Sequence, residues 1–296
     1  MSSASEPWTV GRLLTWTTDY LKKSGSESPR LDAEVLLAEA RKCERIALYT
    51  TYAEEVPEEI RTQFRGLVKR RAEGTPVAYL VGRREFFSLL FEVTPDVLIP
   101  RPETEFVVTT VLDLLKERPA GAPPAMVADV GTGSGAIAVS VAKHAEACRV
   151  LASDVSPKAL EVARRNAVQH GVSDRVEFFE GDLLAALPVA TGLDVVAANL
   201  PYIGASEEGT VANDVRQHEP HLALFGGATG DELIVRLIPQ AADRLVVGGW
   251  LILELSPMLA DRVVQQLRSD GHFDEAIVSK DLAGLARVVR ARKRTT

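Results

Sequence analysis

The sequence predicts an α/β protein: a doubly wound, mainly parallel sheet with helices on both faces, preceded by a small helical bundle. Three observations carry this expectation. From about residue 104 onward, short apolar runs alternate with helical runs, as in strand–helix–strand units whose sheet is covered on both faces. The first 75 residues show instead the three-to-four-residue apolar spacing of helix faces. At 296 residues and 46% hydrophobic, the chain has material for two ordinary domains. The expected division is a helical domain over 1–83, a hairpin and linker over 84–100, and the sheet domain over 101–296.

Taken in order, Val10, Leu13, Leu14, Thr17 and Leu21 share one face of a first helix, with Pro7 expected in its first turn. A second helix spans Leu31–Lys42 behind the start signal Ser28-Pro29. A third runs from Pro57 to Glu73 through Ile60, Phe64, Leu67 and Val68, and stops at Gly74. The segment REFFSLLFEV, Arg84–Val93, is aromatic and branched enough for a hairpin. Pro95, Pro100 and Pro102 then stiffen the chain, because each fixes φ and removes a donor.

A helix over Glu105–Lys116 and a Pro/Gly loop over Pro119–Pro124 open the alternating region. Strands follow at Met126–Val130, Val150–Asp154, Val176–Glu180, Leu193–Ala198 and Trp250–Leu255. The helices between them are Ala136–His144, Pro157–His170 and Leu233–Leu245. Ala276–Ser279 and Ala286–Arg290, joined by KDLAG, read as an antiparallel hairpin at the sheet edge. Trp8, Trp16 and Trp250 are expected in the core.

Composition excludes several classes. Cys43 and Cys148 cannot build a disulfide framework or a four-cysteine zinc site. No stretch approaches the roughly 18 to 20 apolar residues that span a bilayer, and MSSASEPWTV has neither the charged start nor the apolar run of a secretory signal. A cytoplasmic protein is expected. The net charge is −7; residues 1–85 carry 14 basic and 13 acidic side chains, the remainder 20 and 28. An acidic larger part argues against nucleic acid as the partner, since gripping phosphates takes unopposed cations. Lys69, Arg70, Arg71, Arg83 and Arg84 read as a solvated face. His218-Glu-Pro-His221 has the wrong order for a zinc helix and a proline inside it, so no metal is expected.

The chemistry lies at strand ends. Asp129-Val-Gly131-Thr132-Gly133-Ser134-Gly135 joins a predicted strand to a predicted helix, where glycines permit a tight turn and close backbone approach to a ligand. Asp154 ends the next strand, 23 residues after Gly131, placed to accept both hydroxyls of a ribose. Gly131, Gly133 and Ala136 also satisfy a dinucleotide fingerprint. Two features favour S-adenosylmethionine over NAD. A carboxylate at Asp129, expected at the mouth of the loop, would repel a pyrophosphate but suit a sulfonium. Asp182 and Leu183, following the third strand, are placed to bind and cover an adenine.

Asn199-Leu200-Pro201-Tyr202 follows the fourth strand, over the ligand crevice. An amide nitrogen is a poor nucleophile because its lone pair is delocalised. The Asn199 side-chain oxygen and a backbone carbonyl can each accept one N–H of a planar NH₂ target, orienting it and favouring charge that develops there. A tyrosine ring can pack on such a plane. This pattern does not distinguish a glutamine side chain from adenine. An N6-adenine nucleic-acid methyltransferase, a non-catalytic cofactor-binding assembly factor and an NAD-dependent dehydrogenase all remain open on it.

Four segments, PVAYLVGRREFFSLLFEV, LIPRPETE, DVGTGSGAIA and NLPYI, together resemble the PrmC/HemK family of protein-(glutamine-N5) methyltransferases. SPRLDAEVLLAEA, DVRQHEPHLALFGG and KDLAGLARVV extend the resemblance over essentially the whole chain. It implies a Rossmann-like, seven-stranded class I methyltransferase domain behind a helical domain that helps dock the substrate. It also implies methyl transfer from S-adenosyl-L-methionine to the glutamine of the Gly-Gly-Gln motif of peptide chain release factors. The sequence is silent on oligomeric state, and a monomer meeting a large partner is the default expectation. Carried over, Gly131 to Gly135 hold the methionine part of the cofactor, Asp154 its ribose, and Asp182 and Leu183 its adenine. Asn199 to Tyr202 clamp the glutamine, and Ile99 to Glu103 line the cofactor pocket, with Arg101 and Glu103 equally suited to structural ion pairs. Two departures stand out. Leu200 occupies the place of the family's first proline, which removes a φ restraint but keeps the carbonyl. Ser256-Pro257 follows Leu253-Glu254-Leu255 where the family has glycine after Leu-Glu-x.

Overall fold

A computed structural model describes residues 7–188 and 192–295; Met1–Glu6, on which part of the signal-peptide reading rests, lie outside them. The chain divides into two compact units. The first comprises the residues up to Gly82 together with Ala212–His218, and the second Arg83–Val211 with the residues from Glu219 onward.

The first unit is helical: α1 (Val10–Lys23), α2 (Pro29–Arg41), a short α3 (Ala47–Thr50), α4 (Glu58–Ala72) and a short α5 (Val77–Val81). Thr9, whose hydroxyl accepts the Arg12 N–H, starts α1, so Pro7 stands outside the helix rather than in its first turn. A hydroxyl cap satisfies a free amide at the helix start, which proline cannot do. Leu14, Leu21, Leu36, Leu37, Leu48 and Phe64 form the core. Arg71 is not part of a solvated face: it donates to the buried Asp32 carboxylate at 2.7 Å and ties α4 to α2. Trp16, expected inside, is half exposed and stacks on Tyr20 with ring centroids 5.2 Å apart.

The second unit opens with a hairpin, β1 (Arg83–Phe86) and β2 (Leu89–Glu92), turned by Phe87 and Ser88, both left-handed. This is the backbone that matches strand twist in a two-residue turn. The sheet elements and helices then alternate: α6 (Glu105–Lys116), β3 (Ala125–Val130), α7 (Ala136–His144), β4 (Cys148–Asp154), α8 (Pro157–Gln169), β5 (Val176–Glu180) and β6 (Leu193–Ala198). Next come β7 (Ile203–Gly204), α9 (Asn213–His218, in the first unit), α10 (His221–Leu224) and β8 (Phe225–Gly227). The chain closes with α11 (Glu232–Arg244), β9 (Leu245–Glu254), α12 (Ala260–Asp270), β10 (Ile277–Lys280) and β11 (Ala286–Arg292).

Seven strands form one sheet in the order β10-β11-β9-β6-β3-β4-β5. The five strands from β9 to β5 run parallel, while β11 and β10 are antiparallel additions at the edge. Strand alternation sends Val127, Val195 and Ile252 into the core beneath α6 and α7, and Ala128, Val196 and Leu251 into the core beneath α11 and α12. β9 begins at Leu245, five residues before the expected start. Gly248 and Gly249 carry the strand through an irregular register against β6, where a Cβ on Gly249 would come within 3.0 Å of the Asp194 carbonyl oxygen.

One buried side chain binds three parts of this unit together. Asn166 on α8 accepts the Glu92 N–H at 2.7 Å, and its Nδ2 donates to the Glu92 carbonyl at 3.0 Å and the Ser134 carbonyl at 2.9 Å. It thus holds the hairpin and the loop after β3 to one helix. Asn166→Ala leaves buried backbone groups without partners, each costing about 1–3 kcal/mol. Urea unfolding of that variant should show a fall of about 2–4 kcal/mol, with weakened ligand binding at the loop.

Candidate active site

β3 lies in parallel register between β4 and β6, with Val130 opposite Ser153 on one side and Ala198 on the other. Gly131, Asp154 and Asn199 therefore emerge together at the carboxyl edge of the sheet, where doubly wound folds bind ligands. They line a cavity of about 330 Å³, bounded also by Asp96, Leu183 and Leu233. That volume lies at the small end of the range for organic ligands.

Gly131, Gly133 and Gly135 have φ values of 73°, 54° and 81°, left-handed conformations that glycine adopts without a Cβ penalty. The Gly131 and Thr132 N–H groups donate to the Ser153 carbonyl at 2.8 and 3.0 Å and anchor the turn to β4. A Cβ on Gly131 would lie 3.0 Å from Leu200 Cδ2, whereas one on Gly133 would meet nothing within 4 Å. Gly133 lines the cavity, and the space beside it is open. Thr132 and Ser134 line the cavity as well. Gly135 does not; a Cβ there would lie 3.2 Å from Ala163 Cβ, so glycine lets the start of α7 pack close to α8.

Asp129 is not at the cavity mouth. It is fully buried behind the loop, and Oδ2 accepts the Thr132 hydroxyl at 2.6 Å and the Ala138 N–H at 3.0 Å. A carboxylate there complements the start of α7 and braces the loop. Burial pushes its carboxyl up to about 6, against those two donors and with the Asp154 charge acting in the same direction. The acidic wall facing a ligand is instead formed by Asp96, Asp154 and Asp182, so repulsion of a pyrophosphate rests on these.

Asp154 accepts the Gly133 N–H through Oδ2 and the Ser156 N–H through Oδ1, each at 2.9 Å. Each oxygen keeps a further lone pair, enough to receive a pair of vicinal hydroxyls. Burial raises its pKa, opposed by those backbone donors. Asp182 is half exposed and ion-paired with Arg236. Leu183 is buried in a left-handed conformation, φ 51°, with its carbonyl held by the Ser153 hydroxyl at 3.0 Å. A left-handed leucine costs energy, and such residues gather at functional sites; here it carries an apolar side chain to the cavity wall. Leucine, a carboxylate pair and an open glycine turn fit an adenosine with an aminoacyl chain.

Asn199 is the first residue beyond β6, and its Nδ2 donates to Thr104 Oγ1 at 3.0 Å. No described residue donates to its Oδ1. Leu200 is buried in the same core cluster as Ala128, Val130 and Leu253, so packing holds it where a proline ring would restrain φ. The following carbonyls sit on glycines: a Cβ would lie 2.3 Å from the Pro201 oxygen at Gly226 and 2.4 Å from the Tyr202 oxygen at Gly230. Pro201 lines the cavity, and Tyr202 is absent from its wall. Burial pushes the Tyr202 phenol up to about 12, so it is un-ionised among Glu254, Arg101, Glu103 and Arg287.

Arg101 lines the cavity and donates to the buried Glu219 at 2.5 Å, while Glu219 also accepts the Ile99 N–H at 3.2 Å. Glu103 lies 4.0 Å from Arg287. The linker is thus tied by ion pairs. Thr104, Glu219 and Glu254 are not among the candidate site residues that the sequence marks. Each lies inside a segment carrying the family resemblance or a departure from it, which was the available signal.

The raised pKa of Asp129 has a stability consequence. Its folded pKa exceeds the unfolded value, so between about 4 and 6 the folded state binds more protons and stability falls as pH rises. Asp129→Asn removes this contribution. Thermal unfolding should fall less steeply between pH 4 and 6 in that variant than in the parent; parallel curves would contradict the assignment.

Two family models match the chain: the PrmC N-terminal domain over residues 12–82 and a methyltransferase domain over residues 127–218. The release factor glutamine methyltransferase of Rhodopirellula baltica is 47% identical over 99% of both chains. That of Koribacter versatilis is 39% identical over 94% of this chain and 96% of its own. A methyltransferase from Pyrococcus furiosus superposes with a TM-score of 0.51 at 19% identity, covering 71% of this chain and 91% of that one, a likeness of fold. The sheet domain is a class I methyltransferase domain, and with relatives this similar over nearly its whole length, the chain belongs to the release factor glutamine methyltransferase family.

Proposed function

We propose that this chain transfers a methyl group from S-adenosyl-L-methionine to the side-chain amide nitrogen, N5, of the glutamine in the Gly-Gly-Gln motif of peptide chain release factors. The observation that carries the reading is Asn199. It stands at the cavity wall with Nδ2 engaged by Thr104 and Oδ1 uncommitted, one residue before a carbonyl whose chain segment is held by packing.

The residues divide the work. The Gly131–Gly135 loop receives the aminoacyl part of the cofactor, Asp154 its ribose hydroxyls, and Asp182 with Leu183 its adenine. When bound, S-adenosyl-L-methionine supplies a methyl group activated by a positive sulfur. Asn199 Oδ1 and the Leu200 carbonyl accept the two N–H groups of the glutamine amide, orient its nitrogen and favour the positive charge that grows there. Leu200 and Pro201 close the apolar side of the cavity. Tyr202, un-ionised and set among charges, supports the clamp from behind. No strong base is required at the reacting nitrogen, whose proton becomes acidic as the new bond forms and passes to water.

The partner is a protein rather than nucleic acid. The acidic sequence from residue 86 onward supports this, as does Arg71, one of the five cations of the basic strip, being paired within its own unit. The helical unit docks the body of the factor, and the enzyme works as a monomer in the cytoplasm. Among the described residues no helix is long and apolar enough to cross a membrane.

Mass spectrometry after incubation with cofactor and an intact release factor should show one added methyl on the Gly-Gly-Gln glutamine. A short Gly-Gly-Gln peptide should react far more slowly. Asn199→Ala should lower turnover on the order of 10²- to 10³-fold, with cofactor affinity by calorimetry nearly unchanged. Methyl groups on DNA or RNA instead, or cofactor binding without any methylated product, would replace the reading by an adenine methyltransferase or a non-catalytic factor.

A further inference from the structure

One buried acid is used by nothing above. Glu254 is the last residue of β9, 2% exposed, and its Oε2 has no hydrogen-bond partner. β9 is the parallel neighbour of β6, with Leu253 opposite Ala198, so Asn199, the first residue beyond β6, stands level with Glu254 at the end of β9. Between them lies Thr104, also buried, from the turn of helix that follows the proline-rich linker. Its hydroxyl receives the Asn199 Nδ2–H at 3.0 Å and neighbours the Glu254 carboxylate, whose pKa it acts to lower.

We infer that Glu254 and Thr104 are positioning residues that set which face of the Asn199 amide meets the substrate. The inference rests on the glutamine-methyltransferase reading of the site. A hydroxyl has one proton and two lone pairs. When Glu254 is ionised it can only accept, so the Thr104 proton turns toward it. Thr104 can then only accept from Asn199, which commits Nδ2 to Thr104 and leaves Oδ1 facing the cavity. That is the orientation a glutamine NH₂ needs, since Nδ2 in its place would set donor against donor. When Glu254 is protonated it can donate to Thr104. The threonine proton is then free to turn to Asn199, where it favours the reversed amide.

The surroundings bear on which form is present. Burial pushes the Glu254 carboxyl up to about 7, with the Glu103 charge acting the same way; the Thr104 hydroxyl and the Arg287 and Arg101 guanidinium groups oppose it. Tyr202, whose phenol feels the Glu254 charge, is un-ionised over this range. The relay therefore changes state near neutral pH, and kcat should fall as pH drops through about 7.

The test uses full-length enzyme and an intact release factor. Glu254→Gln has no charge to titrate, and Thr104→Val keeps the shape and loses the hydroxyl. Both should lower kcat on the order of 10- to 100-fold, the scale of a misplaced reacting group, with cofactor affinity and thermal midpoint near the parent's. Glu254→Gln should also lose the limb near pH 7, and Thr104→Ser should restore most of what Thr104→Val loses. A limb that persists in Glu254→Gln, or losses of rate matched by losses of cofactor affinity or folding, overturns the relay. Those results still leave a methylating parent enzyme. A parent that methylates no release factor overturns the underlying reading instead.

Discussion

Every group in the site depends on the register of one central strand. β3 holds Val130 level with Ser153 and Ala198, and only then do the glycine turn, Asp154 and Asn199 open onto one cavity. A slip by one residue would send each side chain to the opposite face. The register is secured from both sides, since Val127 and Ala128 alternate into two separate cores. Asp129 adds a polar lock by joining the turn after β3 to the start of α7. Burying this carboxyl raises its pKa to about 6, so the brace for the loop comes at a cost in stability near neutral pH.

The same economy governs the clamp. Four successive residues beyond β6 are held by three different means. Asn199 is held by a side-chain hydrogen bond, Leu200 by apolar burial against Gly131, and the Pro201 and Tyr202 carbonyls by glycines too close to tolerate a Cβ. Both glycines lie in the segment from His221 to Gly230, whose strand β8 pairs with β7 directly after the clamp. Leucine in place of a proline is therefore an exchange of one restraint for another: a ring that limits φ is replaced by a side chain that fills space in the core.

Much of this was legible in the sequence because it is local. A glycine turn, a carboxylate ending the next strand and an Asn-x-Pro-Tyr after the fourth all follow strand ends within a few residues, and strand ends are visible as changes in apolar period. The seven strands of the main sheet and most of the longer helices were visible for the same reason, whereas α12 and the short β7–β8 pair were not foreseen. What escaped notice is carried by distance in the chain. Thr104, Asn199 and Glu254 meet only because β6 and β9 are neighbours in the sheet, and Glu219 reaches Arg101 from 118 residues away. Asp129 was legible as an acid near the loop but not as a buried one, since adjacency in sequence does not say which side of a turn a side chain takes. The start of β9 was obscured by two glycines that serve a bulge, and Trp16 by the general rule that tryptophans are buried.

The central claim is that an Asn side-chain oxygen and the next carbonyl, projecting from the end of β6, hold a carboxamide nitrogen toward the methyl donor. A crystal structure of the enzyme with S-adenosyl-L-homocysteine and a Gly-Gly-Gln peptide tests it most directly. The account predicts the glutamine nitrogen within hydrogen-bonding distance of both Asn199 Oδ1 and the Leu200 oxygen, facing the sulfur. A glutamine seated elsewhere, or an Asn199 amide presenting Nδ2 to it, would contradict the account.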